Sequence, residues 1–276
     1  MSHADNMFIQ NCRNILANGV WDTDQAVRPR WEDGTPAHTI KVFGQVTRYD
    51  LSQEFPLVTL RRPYLKTCID ELLWIWQKKS NNINDLGSKV WDQWADESGS
   101  IGRAYGYQLG IKHVYPEGEF DQVDRVLYDL RHNPASRRIM TNLYVHQDLH
   151  AMHLYPCAYS MTFNVAGGKL NGILNQRSQD MLAANHWNVS QYAALLHMLA
   201  QVSGLAVGEL VHVIADAHIY DRHVPVVERM IAQQPYDAPK FTLDPTVKDF
   251  YAFSKNSVSL ENYQWHDVGE VIPVAA

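Results

Sequence analysis

The 276-residue sequence predicts an α+β fold, with helices packed on a mixed, largely antiparallel β-sheet. Three observations predict it. Helical and strand-like stretches interleave irregularly, without the steady strand–helix rhythm of a doubly wound sheet. A β-hairpin pattern occupies the centre of the chain. No repeat, low-complexity tract or Pro/Gly/Ser linker divides the sequence, so residues 1–276 read as one domain.

In chain order, Met7, Phe8, Cys12, Ile15 and Leu16 recur at roughly helical spacing and predict a helix over residues 6–17. Residues 38–51 alternate and are rich in β-branched types, which predicts a strand. Leu65, Ile69, Leu72, Leu73 and Trp76 form one apolar side of a helix over residues 64–77, with Pro63 at its first position. A further helix is expected over residues 121–132, closed by Asn133-Pro134. Residues 138–145 read as a strand. Residues 159–165 and 169–175 then pair across Ala166-Gly167-Gly168 as a hairpin. Val189, Tyr192, Leu195, Leu196, Leu199 and Val202 predict a helix over residues 187–202. A strand over residues 208–219 and a helix over 222–233 follow.

Hydrophobic residues at 46% and charged residues at 20% belong to an ordinary soluble globular protein. Lys and Arg number 24 against 30 Asp and Glu, and the resulting charge of −6 argues against a DNA or RNA partner. A small anion held by a few local arginines stays compatible with it. The N-terminal residues lack the basic region and apolar run of a signal peptide, and no apolar stretch approaches a membrane span. Cys12, Cys68 and Cys157 are scattered, without a CxxC pair, which argues against disulfides and structural zinc and points to the cytoplasm. The 13 histidines show no metal-binding spacing, so no metal is expected.

The densest chemistry lies between Pro156 and Tyr220. Cys157 is a soft nucleophile; taken alone it is most often a buried structural thiol. Arg177 lies at the far end of the paired hairpin strand, where turn geometry can bring it back toward Cys157 and favour the thiolate. Arg137 and Arg138, at the start of a strand, are either solvated charges or a phosphate clamp. Glu71 sits in an apolar helical run. It is either partly exposed, or faces a pocket lined by tryptophans where a raised pKa would let it move protons near neutrality. Trp91, Trp94 and Tyr105 are core packing or a stacking wall for a flat heterocycle. Asn188 can cap a helix or read the edge of a pyrimidine, since its amide donates and accepts. His218 and Tyr220, two apart on a strand, share one face.

Together these residues resemble the thymidylate synthase family over nearly the whole chain, from the first helix to Pro273-Val274-Ala275-Ala276. The resemblance is carried by Phe55-Pro56-Leu57-Val58-Thr59, Glu71-Leu72-Leu73-Trp74, Val90-Trp91-Asp92-Gln93-Trp94-Ala95-Asp96 and Asn133-Pro134-Ala135-Ser136-Arg137-Arg138. Pro156-Cys157, Gln176-Arg177-Ser178-Gln179-Asp180 and Asp216-Ala217-His218-Ile219-Tyr220 complete it. The segment Asp33-Gly34-Thr35-Pro36-Ala37-His38-Thr39 looks like a less common branch.

The resemblance implies a homodimer joined through sheets, with active sites shared between subunits. It implies a pyrimidine nucleotide monophosphate as substrate and 5,10-methylenetetrahydrofolate as co-substrate. Cys157 matches the nucleophile that adds to C6, and Glu71 the proton-relay carboxylate. Tyr105 matches the aromatic that assists removal of the C5 proton, and Asn188 the base reader. Arg177 and Ser178, with Arg137 and Arg138 from the other subunit, match the phosphate site. His218 and Tyr220 match the contacts to the sugar hydroxyl. Asp180, Trp91, Trp94 and Trp187 match positions around substrate and folate, and the tail ending at Ala276 matches a segment that closes over the ligands.

Three single positions and one turn depart from the family pattern. Gly34 stands where the commoner branch has a phosphate-binding Arg, Ala158 where His often follows the nucleophile, and Ala215 where Gly commonly precedes Asp216. Ala184-Asn185-His186-Trp187-Asn188 replaces a Gly-x-Pro-Phe-Asn turn that packs against folate. The expected reaction is dUMP to dTMP, with dihydrofolate as co-product. A polar His186 holding water would instead suit a 5-hydroxymethylase acting on dUMP, dCMP or CMP, and a catalytically dead nucleotide or RNA binder would have no need of Cys157.

Overall fold

The structure is a computed structural model and describes residues 2–275. Helix α1 (His3–Asn18) begins earlier than its apolar spacing suggests, because the Ser2 side chain accepts from the Asp5 amide and caps it. Strands β1 (Val20–Trp21) and β2 (Thr39–Asp50) follow, then α2 (Leu65–Trp76). Pro63 lies outside α2 and not at its first position: Tyr64 occupies the cap with φ of 46°, in the left-handed region. After the short α3 (Gly106–Gly110) come the small β3 (His113–Tyr115) and β4 (Gly118–Phe120), paired with each other. Helix α4 (Gln122–His132) is capped by the Asp121 carboxylate, which accepts from the Asp124 amide.

The strand expected over residues 138–145 shrinks to β5 (Met140–Asn142). Its neighbours still reach the next strand, with Phe163 N–H donating to Ile139 and Leu143 N–H to Tyr159. Beyond it the Asn142 side chain accepts from the Tyr144 amide and turns the chain away. Strands β6 (Ala158–Ala166) and β7 (Lys169–Asp180) form the hairpin. Its two-residue turn, Gly167-Gly168, has φ of 57° and 74°, the pair of positive values that a tight hairpin turn demands.

Helix α5 (Asn185–Ser203) is buried on nearly every side and crosses from β7 to β8 (Ala206–Tyr220). The helix expected over residues 222–233 divides into a 3₁₀ turn, Asp221–His223, and α6 (Val224–Ile231). Pro225 lacks an N–H, and Asp221 takes the Arg222 amide on its carboxylate, so the first turn is not α-helical. A second small pair, β9 (Lys240–Leu243) and β10 (Val258–Glu261), completes the elements.

The main sheet has six strands in the order β1-β2-β8-β7-β6-β5. All neighbours are antiparallel except β7 and β8, which run parallel, so the expected mixed, largely antiparallel sheet is present. One buried cluster joins α2, α4 and α5 to inward residues of β6 and β7, including Trp74, Trp76, Phe163 and Leu174. Another joins α1 and α6 to β2 and β8 through Phe8, Ile15, Ile214 and Val227. The ends of β7 and β8 meet the start of α5 at one edge of these clusters, where ligand sites form beside parallel strands. Among the described residues no helix is long and apolar enough to cross a membrane.

Candidate active site

A cavity of about 820 Å³ opens at that edge and is lined by Cys157, Arg177, Ser178, Asp180, Asn188, His218 and Tyr220. Glu71, Trp91, Trp94, Tyr105 and Trp187 line its other side. The hairpin does bring Arg177 back to Cys157. The Arg177 guanidinium donates to the backbone carbonyls of Tyr155 at 2.7 Å and Pro156 at 3.0 Å, and lies 3.6 Å from Cys157 Sγ. Tyr105 Oη accepts from the Cys157 amide at 3.1 Å. Burial pushes the Cys157 thiol above its ordinary pKa, outweighing the opposing fields of Arg177 and Arg28. The thiolate preference expected from Arg177 alone is therefore overruled by desolvation in the free protein.

Glu71 takes the pocket-facing alternative rather than the exposed one. It is 7% exposed, and Trp91 Nε1 donates to Oε1 at 2.8 Å. Gln191 Nε2 donates to Oε2 at 3.1 Å, and Trp187 Nε1 donates to the same oxygen. Burial raises the Glu71 pKa, and those three donors oppose the rise. Trp91 meets Tyr105 and Trp94 edge-on, with centroids at 4.9 and 5.3 Å, which gives the cavity one aromatic wall. Burial also drives the Tyr105 hydroxyl well above its ordinary value, with Cys157 adding to it.

Asn188 lies inside the first turn of α5 and is not its cap. Its Oδ1 accepts from Gln176 at 3.2 Å and Gln179 at 3.4 Å, and its Nδ2 donates to Gln191 at 3.4 Å. One amide N–H is left for a ligand. Asp180 holds the turn into α5, accepting from the amides of Leu182 and Ala183. Burial alone would raise the Asp180 pKa, but His223, 3.5 Å away, with His218 and the Ala183 amide, brings it below the ordinary value. His223 Nε2 donates to the Pro273 carbonyl at 2.7 Å, tying the C-terminal tail to this corner. Val274 and Ala275 line the cavity; Ala276 lies outside the described residues.

A smaller recess of about 310 Å³ adjoins, lined by Arg28, Arg177, Ser178, His218 and Tyr220 among others. His218 Nδ1 is 2.7 Å from Asp216 Oδ1, which leaves Nε2 for another partner. Arg28 is the residue that the sequence reading missed. It stands on a loop without helix or strand pattern, and only the unusual Val27-Arg28-Pro29-Arg30 basic run could have marked it. That loop is fastened by Trp31 Nε1 to Asp221 and by Arg222 to Asp33. Gly34 supplies the turn of the same loop, with φ of 81°.

Arg137 and Arg138 are exposed and line neither cavity, so this chain alone does not bring them to Cys157. His186 is 2% exposed, and burial, with Arg61 nearby, depresses its pKa well below the ordinary imidazole value. Ala158 is buried at the start of β6 and lines the larger cavity beside Cys157, whereas Ala215 on β8 lines neither cavity. Nothing in the structure explains Ala215. Among the described residues no group of three or more His, Cys, Asp or Glu is placed to hold a metal ion.

The chain matches the family model described as thymidylate synthase over residues 6–274. It is 43% identical over 272 residues to a thymidylate synthase of Bacillus subtilis subsp. natto, covering 97% of each chain. The same identity and coverage relate it to a thymidylate synthase of Bacillus phage phi3T. Its structure matches the thermostable thymidylate synthase A from Bacillus subtilis with a TM-score of 0.94, at 41% identity and 99% coverage of each chain.

Proposed function

Because the chain belongs to the thymidylate synthase family, we propose that this cavity transfers and reduces a one-carbon unit onto C5 of dUMP, giving dTMP and dihydrofolate. The observation that carries the reading is the convergence of Cys157, Arg177, Asn188 and buried Glu71 on one cavity. Cys157 adds to C6 of the pyrimidine and makes C5 nucleophilic. Arg177, Arg28 and Ser178 hold the phosphate, and His218 with Tyr220 holds the sugar hydroxyl. The spare N–H of Asn188 matches the O4 acceptor of uracil; the amino group of cytosine would meet it donor to donor. Glu71 relays protons to the base, and Tyr105 assists removal of the C5 proton.

Trp91, Trp94, Trp187 and Asp180 fit 5,10-methylenetetrahydrofolate, since a flat heterocycle needs aromatic faces and a polar edge partner. When bound, the folate supplies the one-carbon unit and the hydride. The tail that brings Val274 and Ala275 to the cavity closes over both ligands, and Arg137 and Arg138 reach the phosphate from the second subunit of a homodimer. We read residues 1–276 as one domain acting in the cytoplasm. The thymidylate synthases that the chain resembles favour methylation over the hydroxymethylase alternative.

Incubation with dUMP and 5,10-methylenetetrahydrofolate is expected to yield dTMP and dihydrofolate in equal amounts, and Cys157→Ser to yield neither. A 5-hydroxymethyl product without dihydrofolate would sink the proposal. So would turnover in Cys157→Ser.

A further inference from the structure

Glu71 sits on α2 and receives donors from two separate segments, Trp91 before a 3₁₀ turn and Trp187 with Gln191 on α5. Trp187 and Gln191 are four residues apart on that helix, so they lie on one face and reach the same carboxylate oxygen. An indole N–H can only donate. A proton on either Glu71 oxygen would therefore point at a group unable to accept it. Gln191 offers no easy exchange, since its own oxygen already accepts from Asn188. A Phe at position 187 would fill similar space and donate nothing.

We propose that Trp187 is a positioning residue for the proton relay, its indole N–H orienting the Glu71 carboxylate and favouring the ionised over the protonated form. This rests on the relay role given to Glu71 above. Burial works in the opposite direction, so the donor set decides how near neutrality the group titrates. The titratable groups that bear on Glu71 directly are Cys68 on its own helix and Tyr192 on α5, and Cys157, Tyr105, His186, Arg61 and Lys89 share the cavity with it. Cys68, Tyr192, Cys157 and Tyr105 are neutral when protonated, and burial raises each of them, while the hydrogen-bond donors to Glu71 are the two indoles and Gln191 rather than the cavity's cations.

Two measurements on the full chain test the inference. In ¹⁵N indole spectra of the unmodified protein, two N–H signals are expected to move with one common midpoint as pH changes, and both to stop moving in Glu71→Gln. In Trp187→Phe, the limb of the kcat/KM profile set by Glu71 is expected to move up by about one pH unit, the size of losing one donor to a charged acceptor. The direction is the same whether the slow step needs Glu71 ionised or protonated. A single titrating indole, or an unmoved limb in folded Trp187→Phe, overturns the inference. If Trp187→Phe does not fold, the spectra of the unmodified protein decide. Turnover surviving in Glu71→Gln would instead sink the relay role, and the number of titrating indoles would still decide the Trp187 contact.

Discussion

Arg28 is carried on a loop that Trp31 and Arg222 fasten to the 3₁₀ turn after β8, so its guanidinium meets the recess beside Arg177 without belonging to any helix or strand. A charge-assisted hydrogen bond is worth about 1.5–3 kcal/mol. Arg28→Ala is therefore expected to raise KM for dUMP roughly tenfold to a hundredfold. Because Arg28 also opposes the rise of the Cys157 pKa, alkylation of that thiol at fixed pH should slow in the same variant. Unchanged KM in steady-state kinetics would remove Arg28 from the phosphate site. The pairing of Cys157 with Arg177 was legible in the sequence, since a hairpin returns one strand to the other. Arg28 was not, because an irregular loop has no period that tells where a side chain points. Glu71 was legible only as one of two alternatives: its helix face follows from spacing, but its donors come from segments far along the chain.

Among the elements, β7 shows what local pattern can and cannot reveal. Its hairpin half was readable from alternation and the two glycines. Its extension to Asp180 was not, because residues Ser178 to Asp180 are held by parallel β8, whose residues 216–218 lie beyond an entire helix. That extension places Asp180 against His223 and the tail. Burial alone would lower the His223 pKa, but Asp180 and the Pro273 carbonyl raise it above the ordinary imidazole value. A raised pKa means that folding favours the charged form, so the contribution is full below about pH 6.5 and fades as pH rises through the folded value. Asp180, held low, stays ionised across that window. The difference in melting temperature between the parent and His223→Gln should thus be larger at pH 6 than at pH 9. A constant difference would show that the charge of His223 does not hold this corner.

At the scale of the molecule, the sheet leaves Phe43 91% exposed, with Val46, Met140 and Ile173 also uncovered, which suits a second copy laid against it. Arg137 and Arg138, exposed and away from both cavities, are proposed to act across that interface. Cys157→Ala and Arg138→Ala chains, each nearly inactive alone, should regain activity when unfolded and refolded together. Roughly a quarter of parental activity is expected, since half of the dimers would carry one intact site of two. No recovery would argue against shared sites. The pairing of β2 carries a different consequence, one for the making of the protein. Thr39 pairs with Tyr220 and Asp50 with Glu209, so a strand made early waits for a partner made late. At about 5–20 residues per second, that wait is on the order of ten to thirty seconds on the ribosome. Throughout it β2 offers an open edge and the uncovered Phe43 and Val46 to any neighbouring chain. The interval of synthesis between β2 and β8 is therefore the stretch in which an unpaired edge is open to mispairing.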